Sequence, residues 1–247
     1  MKKEVFLISS SRFSGSGGVF FAHCLEALSK FLGPAVHGHN KVAFVPFAHP
    51  DCDYEGYTKI VSEPFAKIGY EVISVNDYMN HKEVISKPDV VAVFVGGGNT
   101  WVLLNELCNQ KYLRFIRDEV VNGRKKYIGS SAGTVVACPT IMTTNDMAPV
   151  CPPSFDALKL IPFQINPHFV PGALVEGHQG EPREERIRQV INFNSEIQVV
   201  GLPEGCWIEG IDEEYTLGGT GKAVIFRKGR NNSVWLPREP FDKDGML

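Results

Sequence analysis

Apolar residues along this chain fall into short continuous runs separated by longer stretches with helical spacing. Residues 5–9 form the first run, and 19–31 set Phe20, Cys24, Leu28 and Phe31 on one side of a predicted helix. A second strand is predicted over 42–47, then a helix over 57–68 that Pro64 should kink or break. Strands follow at 72–75 and at 90–95, which is rich in β-branched residues, with helices over 101–107 and 112–121 and a further strand opening at Tyr127 and Ile128. Continuous apolar strands alternating with amphipathic helices predict a mostly parallel sheet with both faces covered, because crossover helices hide both sides from water. Past about residue 196 the runs shorten and the turns close up, at 198–201, 206–209, 215–217, 223–227 and 234–236. They predict a small antiparallel appendage at one sheet edge near the C-terminus. With no internal repeat and no linker, the expectation is one α/β domain over 1–247, with a charged tail at 241–247 that is poorly ordered.

Composition narrows the classes of function. At 43% hydrophobic and 21% charged, the chain lies in the ordinary globular range. A net charge of -3 argues against a nucleic-acid partner, and the short basic cluster Arg124, Lys125 and Lys126 reads as a solvated helix end. No apolar run approaches the ~18–20 residues needed to span a bilayer, and 5–8 is too short for a signal-peptide core, so no membrane partner and a cytoplasmic location are expected. The six cysteines (Cys24, Cys52, Cys108, Cys138, Cys151 and Cys206) include no C-x-x-C pair and are expected to be free thiols.

The sequence Tyr127-Ile128-Gly129-Ser130-Ser131-Ala132-Gly133-Thr134 reads as strand, sharp turn and helix, with Gly129-x-Ser131-x-Gly133 at the turn. Such a turn lifts a serine hydroxyl clear of the sheet, and small flanking residues let strand and helix approach. Ser131 would then sit at a helix N-terminus, where orphan N–H groups favour an oxyanion, although an ordinary N-cap serine fits the same pattern. Gly96-Gly97-Gly98-Asn99-Thr100 follows the 90–95 strand and opens the next helix. Ligand crevices in open α/β sheets lie beyond the strand carboxyl ends, so the N–H of Ala132 with that of Gly97 or Gly98 would form an oxyanion hole.

A serine nucleophile needs a base. Of seven histidines, His168 stands out in Ile165-Asn166-Pro167-His168-Phe169, where a proline-stiffened turn follows an apolar strand. His23 falls in a helical stretch, His49, His81 and His178 in polar loops, and His37-x-His39 lacks acidic or cysteine partners at metal-binding spacing. No metal is expected. The base needs an orienting carboxylate, and two are placed for it: Asp146 in Thr143-Thr144-Asn145-Asp146, and Glu204 in Gly201-Leu202-Pro203-Glu204-Gly205. Sequence alone leaves both open. Gly15-Ser16-Gly17-Gly18 follows the first strand, but Phe20 stands in the place of a dinucleotide loop's third glycine.

These motifs, in this order, resemble the peptidase E family of α-aspartyl dipeptidases. The likeness also takes in Phe44-Val45-Pro46-Phe47-Ala48, Cys138-Pro139-Thr140, Glu176-Gly177-His178 and Arg183-Glu184-x-Arg186-Ile187, so it covers roughly residues 42 to 219. It implies a flavodoxin-like, doubly wound sheet and a serine peptidase, without cofactor, that cleaves dipeptides with N-terminal aspartate. Carried over, Ser131 is the nucleophile, His168 the general base and Asp146 or Glu204 the acidic partner. Glu204 is favoured for the direct contact because it follows a strand end, with Asp146 holding the site or the substrate amine. Gly98 and Ala132 supply the oxyanion hole, and Arg183 and Asn99 bind substrate, Arg183 through its two-pronged fit to the β-carboxylate. Ser130 stands where bacterial members carry a bulky aromatic, which bears on pocket shape more than on chemistry.

Other classes make different demands. A glutamine amidotransferase needs a cysteine where Ser131 stands, a non-catalytic flavodoxin-like module needs no serine, histidine and acid together, and a cyanophycin-degrading relative differs in substrate. Oligomeric state leaves no mark in the sequence.

Overall fold

Val5, Phe6, Leu7 and Ile8 are all fully buried, as in a strand covered on both faces. The computed structural model describes residues 2–49, 51–78, 81–172, 180–194 and 196–241. The chain runs β1 (Glu4–Ile8), α1 (Leu25–Leu32), β2 (Lys41–Val45), α2 (Tyr54–Lys67), β3 (Glu71–Ser74) and α3 (His81–Ser86). It continues through β4 (Val90–Val95), α4 (Thr100–Asn109), α5 (Tyr112–Val121), β5 (Lys126–Ser130), α6 (Ala132–Ala137) and β6 (Gln164–Pro167). The last elements are α7 (Arg183–Phe193), β7 (Val199–Leu202), β8 (Cys206–Ile211), β9 (Glu214–Gly219), β10 (Ala223–Phe226) and β11 (Ser233–Trp235).

A seven-stranded sheet has the order β3-β2-β4-β5-β1-β8-β9. Its first five strands are parallel, and β8 and β9 add antiparallel to β1. Alternate residues of β1 enter different cores: Val5 and Leu7 join Val93, Val95, Leu103 and Leu104, whereas Phe6 and Ile8 join Phe44, Phe94, Leu28 and Val61. Each such fully buried side chain is worth ~1.5–3 kcal/mol of transfer free energy, so a central strand with no solvent face fixes its own register.

The small sheet expected near the C-terminus is present, and two further late strands extend the large one. While β8 and β9 extend the large sheet, β7, β10 and β11 join β6 in a four-stranded sheet of order β11-β10-β7-β6, within which β6 and β7 are parallel. Short alternating runs announce strands without naming their partners.

Several local expectations are corrected. The stretch 19–31 is not one helix: α1 begins at Leu25, because Phe21 has φ 58° and is buried against Phe65 and Phe94. A bulky residue at positive φ cannot continue a right-handed helix. Pro64 does not break α2, which runs on through Phe65, Ala66 and Lys67; the helix gives up the bond to the Ile60 carbonyl, and the Pro64 ring is buried with Val61 and Phe65. The basic cluster is not a solvated helix end. Lys125 is 7% exposed, with Nζ donating to the carbonyls of Lys87 and Val90, while Arg124 pairs with Glu119 and Lys126 with Glu4. Phe241 packs on Phe163 and Trp235 instead of opening a loose tail, and residues 242–247 lie outside the described residues. Among the described residues, no helix is long and apolar enough to cross a membrane.

Candidate active site

Between β5 and α6 the chain turns at Ser131, whose backbone takes φ 52° and ψ -109°, an unusual conformation for a residue with a side chain. The flanking glycines are there for space. A Cβ on Gly129 would lie 2.6 Å from the Gly133 carbonyl oxygen, and one on Gly133 would lie 2.0 Å from that of Val95. The turn is tied down from several sides: Ser131 N donates to Ile8 O at 3.0 Å, Thr134 Oγ1 to Ile8 O at 2.7 Å, and Tyr127 Oη to Gly133 O at 2.6 Å.

His168 follows β6, also at positive φ (54°), and its Nε2 lies 2.8 Å from Ser131 Oγ. Its Nδ1 lies 2.7 Å from Glu204 Oε1, in the turn after β7. Because β6 and β7 are paired with Pro167 opposite Leu202, the imidazole and the carboxylate leave the same end of one sheet side by side. The two side chains keep 34% and 47% of their exposure, so water screens part of the contact between them.

Sequence reasoning missed Ser9. It is fully buried, its hydroxyl donates to Leu202 O at 2.8 Å, and it accepts from His168 N at 2.9 Å. One hydroxyl at the end of β1 therefore ties the backbone carrying the imidazole to the strand that leads to Glu204. Nothing in the local pattern marks it, since a serine closing an apolar strand is commonplace.

Asp146 lies elsewhere in the hydrogen-bond network. Its Oδ2 accepts from Thr100 N at 2.8 Å, Thr100 Oγ1 at 2.6 Å and Thr144 Oγ1 at 3.0 Å, placing a carboxylate at the N-terminus of α4. Asn99 is similarly committed: Oδ1 caps α4 by accepting from Trp101 N and Val102 N, and Nδ2 donates to Met147 O. The glycine turn before it packs against the elbow, for a Cβ on Gly97 would lie 3.1 Å from Ser131 Cβ, and Gly98 has φ 139° with Ala48 O where a Cβ would stand. Gly97 N is taken by Tyr57 Oη at 2.9 Å. Ala132 N opens α6 and so has no partner within the helix.

Arg183 starts α7 and is not among the residues lining the cavity of about 290 Å³ that Ser131, His168, Gly97 and Gly98 share. It faces a smaller cavity with Asn145, Asn166 and Thr144. Its Nη1 is buried and, among the described residues, has no hydrogen-bond partner. Burial and neighbouring Arg186 push the guanidinium pKa down, and Asp146 pulls it back up. Ser130 is fully buried and does not line the Ser131 cavity. Of the other histidines, His49 lines that cavity, His23 lies half-buried beside Trp207, and His39 Nδ1 meets Pro88 O at 3.2 Å. Glu176, Gly177 and His178 lie outside the described residues, as does the side chain of His81. Among the described residues, no group of three or more His, Cys, Asp or Glu is placed to hold a metal ion.

Comparison with known proteins adds a family. The model of peptidase family S51 matches residues 5–218. The chain is 40% identical over 242 residues to a Nostoc sp. protein named peptidase E, covering 98% of this chain and 96% of that one. It is also 40% identical over 226 residues to peptidase E of Salmonella paratyphi A, covering 92% and 94%. Two crystal structures share the fold. One, from Listeria monocytogenes and provisionally described as a peptidase E, has TM-score 0.64 and 24% identity, with 90% of this chain and all of that one covered. The other, a peptidase from an acI-B1 actinobacterium, has TM-score 0.70 and 15% identity, with 98% and 97% covered.

Proposed function

The chain belongs to peptidase family S51, and from that premise we propose that it hydrolyses dipeptides with an N-terminal aspartate through an acyl-enzyme on Ser131. The observation that carries this reading is the continuous chain Ser131 Oγ, His168 Nε2, His168 Nδ1, Glu204 Oε1, with contacts of 2.8 and 2.7 Å, at the mouth of a cavity beside the glycine turn. In this reading Ser131 Oγ attacks the scissile carbonyl carbon as His168 Nε2 takes its proton. The carbonyl oxygen becomes an anion held by the N–H groups of Gly98 and Ala132. The protonated imidazole, stabilised by Glu204, then gives its proton to the departing amine, leaving an aspartyl ester on Ser131 that water cleaves by the same path in reverse.

Selectivity for aspartate falls to Arg183. A buried, unpartnered guanidinium nitrogen is an unmet demand that a substrate carboxylate satisfies with two parallel hydrogen bonds. A neutral isostere would leave that demand standing, which is how polar sites reject close analogues by large factors. Asp146, bonded to α4, holds the glycine turn in place and sets the charge near Arg183. Asn99, used as a cap, serves the same turn. The six unpaired cysteines fit a reducing, cytoplasmic setting.

The test is a pair of measurements. Asp-Leu should be hydrolysed with kcat/KM at least ~10³ above Asn-Leu, and Ser131→Ala should lose ~10⁴-fold or more with an unchanged circular dichroism spectrum. Equal rates on Asp-Leu and Asn-Leu would refute the aspartate assignment. A Ser131→Ala protein keeping a tenth of the activity would refute the nucleophile.

A further inference from the structure

A second cavity, of about 640 Å³, reaches Gly205, the neighbour of Glu204, but Ser131, His168 and Glu204 do not line it. Its volume is ordinary for a small-molecule site. Trp207 pairs with Gly218 and Glu209 with Thr216 across β8 and β9, and all four line the cavity, so one face of this hairpin forms its floor. Phe13 and His23 add two more rings, 6.0 Å apart, with His23 6.5 Å from Trp207. Glycine lets these rings in: a Cβ on Gly218 would strike the Trp207 indole, and one on Gly15 the Phe13 ring.

Two polar groups inside these walls have unmet demands. Both ring nitrogens of His23 are buried and, among the described residues, have no hydrogen-bond partner. Burial lowers its pKa, so near neutral pH one of them keeps a lone pair for a ligand to use. Glu209 is half-buried, and its carboxylate makes no hydrogen bond or ion pair with a described residue. Burial pushes its pKa up, Lys126 pulls it down and Glu4 pushes it up again. Lys126 is already engaged, with Nζ 3.1 Å from Glu4 Oε1 and donating to Phe31 O. A carboxylate without a partner among aromatic rings is the complement of an ammonium group on an apolar body, because the acid supplies the ion pair and ring faces attract the cation.

We propose that this cavity is a second ligand site, which binds a small molecule carrying an ammonium group on an aromatic or large apolar body, with Glu209 holding the ammonium and Trp207 and Phe13 the body. The site shares no described lining residue with the Ser131 cavity, so the proposal stands apart from the dipeptidase reading. The same ammonium chemistry belongs to simple amines and to free amino acids. Arg238 separates the two. It lines the cavity at φ 70°, its N–H donates to Leu217 O at 2.8 Å, and its exposed guanidinium has no partner among the described residues. An amino acid would use that guanidinium for its carboxylate, whereas a simple amine would not.

The test is calorimetric titration with 2-phenylethylamine, L-phenylalanine and 3-phenylpropionate, in wild type, Glu209→Gln and Ala27→Leu, each checked for folding by circular dichroism. Wild type should bind at least one of the two ammonium compounds ~10-fold or more tightly than 3-phenylpropionate, which has a body of like size and no ammonium. In Glu209→Gln that affinity should fall ~10-fold or more, as for a charge-assisted pair partly screened by water. Ala27 lies on α1 and lines the cavity, so Ala27→Leu fills it and should abolish binding, whereas a ligand seated at Ser131 would not notice. Wild-type affinity in either folded variant overturns the proposal, and should Glu209→Gln fail to fold, Ala27→Leu decides alone. Equal binding of 3-phenylpropionate, or no binding of either ammonium compound to wild type, overturns it as well. Arg238→Gln names the source of the ammonium. Affinity lost for L-phenylalanine alone identifies a free amino acid, and tighter binding of 2-phenylethylamine that is indifferent to Arg238 identifies a simple amine; both outcomes support the site.

Discussion

Glu204 and Asp146 are the two acids the sequence offered for one site, and their surroundings differ in kind. Glu204 stands in an exposed turn with its Oε1 on the Nδ1 of His168. Asp146 is bonded to a backbone amide and two threonine hydroxyls at the start of α4, one of them on a residue that is 1% exposed. The first carboxylate faces a group that changes its charge during a reaction, whereas the second faces groups whose charge never changes. An acid that serves chemistry needs a partner that titrates, and an acid that serves architecture needs donors that do not.

The sharpest way to break that contrast is Glu204→Gln. The amide keeps the shape but cannot stabilise an imidazolium, so kcat/KM should fall by ~10²- to 10⁴-fold while the denaturation midpoint hardly moves. The lower end of that range applies if water at the exposed pair already supplies part of the stabilisation. A variant that loses its stability but keeps its rate would reverse the assignment.

Asp146→Ala should behave the other way. It leaves the Thr100 amide and hydroxyl without their acceptor, and Thr144 Oγ1 with only Thr100 Oγ1, a cost of ~2–4 kcal/mol readable as a lower urea midpoint. Activity measured well below that midpoint should fall less than in Glu204→Gln. A ~10⁴-fold loss at full stability would place Asp146 in the reaction instead.

The smallest effect concerns a second imidazole on the Glu204 side. Burial lowers the pKa of His23 below its ordinary 6.5, and the nearby charge of Glu204 partly offsets this. Below that pH the unfolded chain binds a proton that the folded chain resists, so unfolding free energy should fall as pH drops from about 6.5 towards the folded value. In His23→Gln this segment of the pH–stability curve should flatten. In Glu204→Gln it should steepen, since the compensating charge is gone. Urea titrations at a series of pH values measure both slopes.

Much of the fold was legible because burial on two faces writes an unmistakable pattern. The run at 90–95 is β4 residue for residue, and 112–121 is α5. What stayed hidden depends on partners distant in the chain. That β7 pairs with β6 while β8 pairs with β1 is decided by packing, not by any feature of 198–211 itself. The start of α1 was misjudged because Phe21 fits helical spacing yet is held at positive φ by rings from α2 and β4. At the site, Ser131 and His168 could be singled out because glycine and proline leave local marks, whereas Glu204 and Asp146 stood as alternatives in the sequence and only the pairing of β6 with β7 sets Glu204 beside His168. Ser9 leaves none: it matters through His168 and Leu202, more than a hundred positions away.

The placement of Ser9 also sets a schedule. β1 lies between β5 and β8, so this strand must wait for residue 211 before both its edges are paired. At roughly 5–20 residues per second, about 10 to 40 seconds pass between the emergence of Ser9 and that of the strand that closes over it. Until then Leu202 is not there to receive the Ser9 hydroxyl, and Glu204 is not there to receive the imidazole. If Ser131 is the nucleophile as proposed, its turn is in place well before His168 and Glu204 can arm it, so a ribosome-bound chain would carry an inert serine until β1 and β8 meet.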